Sequence, residues 1–466
     1  MSDAALETTV SDSLSGQLAD YVLGLPAAEI PAAIRERALL LLLDELGAGL
    51  LGSTAPGATI VHEEARARYR TGRVPVWGRS TRLTAAGAAL VNATQAHAFE
   101  LDDYHPGAKL HAGTVVVPAA LAVLGAEHGL DDLLAAMVVG YEVMIRLGLA
   151  LDSSATRRRG WHLTGLTGPF GAAAAAARLQ GLDRETLVAA FGIAGSCSSG
   201  LFAFSREGSM TKQLHAGRGA EAGLTAIELA RRGLTAPTWV LEAEDGGLLR
   251  AVSDSPAPDR LGAELGSRFE LGSVGVKPYP CCGSVHSSID CALEIRRQDG
   301  FALDRVERVT VHTAELVDLQ CGFPYSGDGG PLEAQMSMRY CVAAALADGE
   351  VSLLQFRDLR RRDPAVRALA ERVTLAIDPE IDRAYPASWP GRVSVEMSSG
   401  AVHEHAVAEP LGSPGRCTRE MVEAKFLDLA GELLGASQRA ALLRLLDGEV
   451  GPRGLAATID AALGGA

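Results

Sequence analysis

The amino-acid sequence predicts a mainly α protein. A large all-helical domain, residues 1–275 and 411–466, is expected to carry an inserted, smaller α+β domain, residues 276–410. Three observations carry that expectation. Helix-length apolar segments dominate from about residue 13 to 270. The texture turns to short alternating runs near residue 276. It turns back to helical spacing from Thr418 onward.

Taken in order, IPAAIRERALLLLLDELGAGLL, TAAGAALVNATQAHAFEL and VVVPAALAVLGAEHG each have the length and residue types of a helix. So do DDLLAAMVVGYEVMIRLGLAL, GAAAAAARLQGL, RETLVAAFGIAGSC and GRGAEAGLTAIELARRGL. Asp or Thr stands at several starts and Gly at several ends, as helix caps require. Many of these segments are apolar nearly all round, which suits the interior of a large bundle. In the insert, VERVTVHT alternates like a half-buried strand and RVTLAID is a second β-rich run. RVSVEMSSGAVHEHAV reads as two strands joined through Ser398, Ser399 and Gly400. HSSIDCALEIRR and SMRYCVAAALADG are helical stretches among them, and TREMVEAKFLDLAGELLG and SQRAALLRLLDG return to helix.

Composition narrows the function. The chain of 466 residues has a formal net charge of −14 and a pI near 5.3. Nucleic acids and anionic membranes require a basic face, so neither is an expected partner. The start, MSDAALETTVSD, has no apolar core of a signal peptide. The runs ALLLLL and AGTVVVPAALAVLGA fall short of the roughly 20 apolar residues of a membrane span. Seven cysteines without a CxxC argue against a disulfide framework or a zinc cage, so a reduced, cytoplasmic protein is expected. Only four lysines (Lys109, Lys212, Lys277, Lys425) stand against 39 arginines. Where arginine serves as the generic cation, the remaining lysines mark candidate positions needing a compact, titratable ammonium. The match of GAGLLG, residues 47–52, to GxGxxG lacks the preceding strand that a dinucleotide site needs, and close helix packing is expected instead.

Residues 96–113, AHAFELDDYHPGAKLHAG, concentrate polar chemistry in an otherwise bland chain. His97, Glu100 and Tyr104, spaced i, i+3, i+7, are expected to share one helical face, with His111 on the following loop. Acid/base chemistry, metal ligation and a merely polar helix end all remain open, although the spacing fits no compact ligand set. RRRGWHLTGLTGPFG puts His162 before a glycine-rich helix start, where backbone N–H groups favour an anion. SMTKQLHAGRG holds Lys212, His215 and Arg218, either a site or a solvated face. KPYPCCGSVHSSID brings Lys277, two vicinal cysteines and His286 to a helix start, and buried, inert thiols are the expected reading of the pair.

These blocks, with VWGRSTRLTAAGAALVNATQAHAFELDD, HPGAKLHAGTVVVPAALA, EAQMSMRYCVAAALADG and VEAKF, occur in an order that resembles the MmgE/PrpD family. That family includes 2-methylcitrate dehydratases, cis-aconitate decarboxylases and iminodisuccinate epimerases. The resemblance implies a homodimer whose small domain is a lid, with the site between the domains and no metal or organic cofactor. Carried over by position, it implies His111, His162, Lys212 and His286 as catalytic residues beside an acidic patch of Glu100, Asp102 and Asp103. Tyr340 falls where the decarboxylases place a site tyrosine. Their pattern M-D-F-D-D-T is here Phe99-Glu100-Leu101-Asp102-Asp103-Tyr104, so a pocket shaped for a different acid is expected.

The chemistry implied is a lyase reaction, dehydration or decarboxylation, on a di- or tricarboxylic acid by proton transfer beside a carboxylate. Lys212 would meet developing negative charge, and Arg218 or Lys277 would bind a distal carboxylate. One or two of the histidines would act as acid or base. An epimerase of a substituted succinate is the alternative, and a non-catalytic carboxylate binder is the third.

Overall fold

Leu163–Gln180 forms the axis of the helical domain in the computed structural model, which describes residues 13–431, 433–451 and 454–464. Residues 1–12, read above as lacking a signal peptide, lie outside that description. The run Ala172–Ala177 is fully buried, and its small side chains let Leu130–Ala150 and Thr211–Arg231 pack closely on either side. Ala85–Ala96, Gly113–Ala122, Ala32–Gly52 and Arg184–Cys197 complete the bundle. Thr84 and Asp183 cap two of these helices by accepting from Gly87 N–H at 3.3 Å and Thr186 N–H at 2.8 Å.

GAGLLG lies inside helix Ala32–Gly52 with no strand before it. Its glycines serve close approach: a Cβ on Gly49 would sit 2.5 Å from the Trp77 ring, and one on Gly52 would sit 1.8 Å from the Gln95 carbonyl oxygen. Counting apolar runs missed one feature. Leu130–Ala150 is long and apolar enough to cross a membrane, but it is almost wholly buried among the other helices. It also carries the ion pair of Arg146 with Glu142 at 2.9 Å.

The insert has its own hydrophobic core, drawn almost entirely from residues 279–397 with Phe204 reaching in from the helical part. Its sheet runs in the order Val373–Ile377, Val306–Thr313, Gly391–Met397, Val402–Val407. The first pair is parallel and the others antiparallel. Val393, Val395 and Met397 alternate inward along the third strand, and Gly400 turns the hairpin at φ +83°. His286–Arg296 and Met338–Asp348 are the main helices of this unit. The chain then returns to the first core: Val422 and Phe426 of Arg419–Ala430 are buried there, against Ala32–Gly52. A two-residue ribbon, Val74–Pro75 with Arg82–Leu83, is the one strand pairing described within residues expected to be wholly helical.

The close approach at Gly52 gives a stability test. Gly52→Ala is expected to cost about 2–3 kcal/mol, because backbone rather than a flexible side chain must give way. A lower urea midpoint with an unchanged slope would register it.

Candidate active site

Helix Ala85–Ala96 stops at His97, so the expected helical face of His97, Glu100 and Tyr104 does not form. Tertiary pairing overrides the helical spacing. Tyr104 N–H donates to the Gly275 carbonyl at 2.9 Å, and the Tyr104 carbonyl accepts from the Gly275 N–H at 2.7 Å. Glu100, at φ +57°, makes the turn between helix and pairing. The chain folds back on itself, and this fold-back assembles the polar cluster.

At its centre are two buried carboxylates, Glu100 and Asp102, and one buried ammonium, Lys277. Lys277 Nζ lies 3.1 Å from Glu100 Oε2 and 3.3 Å from Asp102 Oδ1. The other Glu100 oxygen accepts from Lys212. Burial alone would raise the Glu100 carboxyl, but Lys212 and then Lys277 outweigh it and hold the group below its usual range. Asp102 is likewise held well below, against burial, by His111, Lys277 and His97. Asp103 turns the other way. It accepts from Gly113 N–H at 3.0 Å and Tyr141 O–H at 2.7 Å, fixing the start of helix Gly113–Ala122, and burial pushes its carboxyl up to about 7.

The histidines surround the carboxylates. Asp102 Oδ2 lies 2.7 Å from His97 Nδ1 and 2.9 Å from His111 Nδ1. His111 Nδ1 also lies 2.7 Å from the Asp103 carbonyl oxygen, which can only accept. That contact fixes the tautomer: Nδ1 carries the proton and Nε2 keeps its lone pair. His162 sits just before helix Leu163–Gln180 and makes no capping bond. Its Nδ1 meets His215 Nδ1 at 3.0 Å. Burial is the leading cause that lowers these imidazoles, with His97 and His215 reaching about 4. Burial lowers His111 and His162 as well, which favours the neutral imidazole throughout the cluster.

His97, His111 and His162 are the group among the described residues that could hold a metal ion. Their ligand atoms lie within 4.8 Å of one another. Nitrogens bound to a tetrahedral zinc are about 3.3 Å apart, so ligation would require contraction.

A narrow cleft lies between the two cores and opens onto this cluster. Glu100, His111, His162 and Lys212 line it from the helical part, and Cys282, Ser284, Tyr385 and Trp389 from the insert. Tyr104 lines it too, its ring stacked on Trp389 at a centroid distance of 4.8 Å.

Six sequence-derived assignments lie outside the cleft wall, Asp102 and Asp103 behind it among them. Lys277 is wholly enclosed by its two carboxylates, and Arg218 is exposed and paired with Glu221, so neither is free for a distal carboxylate. Tyr340 is buried in the insert's core, where its hydroxyl donates to the Gln355 carbonyl. His286 is buried behind Tyr104 and Tyr279, with Nε2 3.3 Å from the Cys281 carbonyl oxygen, and lies near 3 through burial and then Lys277. The vicinal cysteines also differ from one another. Burial pushes the Cys281 thiol well up. Cys282, in the cleft wall, is brought down to about 6, first by the Cys321 thiol donating to it, then by the Lys212 charge, against the effect of burial. Gln320 Nε2 donates to its sulfur as well, at 3.2 Å.

Comparison with known proteins bears on this site. Residues 16–261 match the MmgE/PrpD N-terminal domain and residues 279–447 the MmgE/PrpD C-terminal domain. A cis-aconitate decarboxylase-like protein of Aspergillus oryzae is 31% identical over 458 residues, covering 93% of each chain. The cis-aconitate decarboxylase of Aspergillus terreus is 28% identical over 94% of this chain and 93% of its own. That of Homo sapiens is 27% identical over 93% of this chain and 91% of its own.

The Cys282 environment predicts a reactive thiolate. Alkylation by iodoacetamide, followed at Cys282 by peptide mass spectrometry, is expected to rise through pH 6 and level off by pH 8. Cys281 and Cys321, both buried with raised thiols, are expected to stay unmodified in the folded protein.

Proposed function

The chain belongs to the MmgE/PrpD family, and from that premise we propose that it is a lyase acting on a di- or tricarboxylic acid through proton transfer beside a carboxylate. The relatives named as cis-aconitate decarboxylases favour loss of CO₂ over loss of water. The observation that carries the proposal is His111 in the cleft wall, with its Nδ1 proton pinned and its Nε2 lone pair unprotonated, beside the Lys212 ammonium. Glu100 and Tyr104 narrow this end of the cleft, which supports an acid other than cis-aconitate as the preferred substrate.

In this reading a substrate carboxylate lies against Lys212, and His111 or His162 faces the carbon beside it. For decarboxylation of an unsaturated acid, the bond to the departing carboxylate breaks. Its electron pair moves into the adjacent double bond, and an imidazolium delivers a proton to the far carbon. For dehydration, a neutral imidazole removes the proton beside the carboxylate, and an imidazolium donates a proton to the hydroxyl, which leaves as water. Fixed cations stabilise the negative charge that develops on either path. A positioned acid or base contributes roughly 10²–10⁴-fold, so several groups act together.

Neutral imidazoles must acquire the proton they deliver. A bound polyanion beside them raises their proton affinity, so substrate binding itself loads the site. The sign is fixed: binding takes up protons and tightens as pH falls from 8 to 6. A cofactor-independent, cytoplasmic homodimer belongs to the same proposal.

Four outcomes test it. Nuclear magnetic resonance in D₂O over a panel of di- and tricarboxylic acids is expected to find one that loses CO₂ or water with chelator-treated protein. Solvent deuterium entering recovered substrate without any change of composition would select an epimerase instead. Lys212→Met and His111→Gln are each expected to lower kcat/KM by about 10²-fold or more, and full activity in both would count decisively against the mechanism. Titration calorimetry in buffers of different ionisation enthalpy is expected to register net proton uptake on binding.

A further inference from the structure

Two cations in the cleft have no carboxylate partner among the described residues. Lys109 Nζ is buried, makes no hydrogen bond, and lies 3.6 Å from the centre of the Tyr385 ring across the domain boundary. Arg157 is 9% exposed, its guanidinium lies 3.4 Å over the Phe202 ring, and its Nε is buried without an acceptor. Both residues line the cleft. Arg157 is the charge that acts most strongly on Lys109, followed by Cys282, Arg158 and Asp152, so the two cations sit together in the cleft. Asp152 is committed elsewhere: its carboxylate accepts from Ser154 and Ala155 N–H at 3.2 Å and from Ser255 O–H at 2.7 Å.

A buried ammonium without an acceptor bears the full cost of leaving water, and a second cation beside it adds repulsion. Burial and Arg157 accordingly hold Lys109 well below the usual lysine range. Lys109 also adopts φ +52°, a backbone conformation that a lysine takes at a cost. A chain of net charge −14 would ordinarily supply a carboxylate to such a pair. The acceptor is therefore expected to come with the ligand.

We infer that Lys109 and Arg157 form a second carboxylate subsite, which receives a carboxylate of the substrate other than the one held at Lys212. Ser284 Oγ and Tyr385 Oη, 3.1 Å apart on the opposite wall, supply neutral donors to the same end. Cys282 lies between these two cations and Lys212, since its charge acts on Lys109 and Arg157 while Lys212 and Glu100 act on it. The substrate class is thus a polycarboxylate with an extra carboxylate that a monoacid or a shorter diacid lacks. This inference rests on the reading of the cleft as a polycarboxylate site.

The test measures binding, so it does not depend on turnover. Propane-1,2,3-tricarboxylate, which has neither a double bond nor a leaving hydroxyl, and glutarate, the same chain without its middle carboxylate, are titrated by calorimetry. The wild-type protein is expected to prefer the tricarboxylate by roughly 10- to 100-fold, the range of a charge-assisted contact. In Lys109→Met and Arg157→Gln that preference is expected to collapse towards unity, and in Lys109→Arg to be largely kept. The ratio of two ligands is insensitive to a general loss of folded protein, and melting curves on each variant show which are folded. If both Met and Gln variants keep the wild-type preference, the subsite is overturned and the lyase reading stands. If the wild-type protein binds neither acid at millimolar concentration, the reading and the subsite fall together.

Discussion

The Lys277 ammonium, held between Glu100 and Asp102 away from water, is the constraint on which the site depends. Charges this deeply buried are tolerated only when paired, and removing one member of such a set costs about 3–5 kcal/mol. Lys277 leads from the helical part into the insert, while Glu100 and Asp102 lie on the fold-back after helix Ala85–Ala96. One ammonium therefore ties the segment that passes from the first core to the second to the loop that carries the carboxylates. Asp102 then passes the restraint to His97 and His111 through its other oxygen. The position and tautomer of His111 follow from that anchoring, together with the Asp103 carbonyl.

Electrostatic division of labour follows from the same arrangement. Glu100 and Asp102 stay ionised because ammonium and imidazole groups face them. Asp103, one residue on, is turned towards Tyr141 and the Gly113 N–H, and burial raises it instead. The imidazoles are lowered by burial and by the lysines nearby. A protein of strongly negative net charge thus gathers Lys109, Arg157 and Lys212 along one cleft, as an anionic ligand requires.

Much of this was legible in the sequence. The all-helical, mixed, all-helical order follows from residue spacing, and the hairpin at Gly400 and the non-nucleotide character of GAGLLG could be read directly. The parallel pairing of Val306–Thr313 with Val373–Ile377 could not, because spacing gives strands but not their neighbours. The end of helix Ala85–Ala96 was misjudged because backbone pairing with Gly275, far along the chain, decides it. Arg218 was avoidable: six residues beyond Lys212 lies about 240° further round a helix, on the opposite face. Arg157 gave no such signal. It stands in a run of three arginines, two of which pair on the surface with Glu315 and Asp254, and only the fold turns the third inward. Cys282 was dismissed because its partners, Cys321 and Lys212, are remote in sequence.

The scarcity of lysine proves to be spatial as well as numerical. Lys212 and Lys277 hold Glu100, Lys109 lines the same cleft, and Lys425 joins Asp44 at 2.7 Å and the Leu101 carbonyl, beside the acidic loop. The outer surface is cationic through arginine alone. Amine-directed acylation, whether by a cellular acetyl donor or a labelling reagent, therefore finds no decoy side chains to consume it. Apart from the terminal amine, acylation is confined to these four side chains, and labelling of the two that line the cleft, Lys109 and Lys212, gauges how open it is.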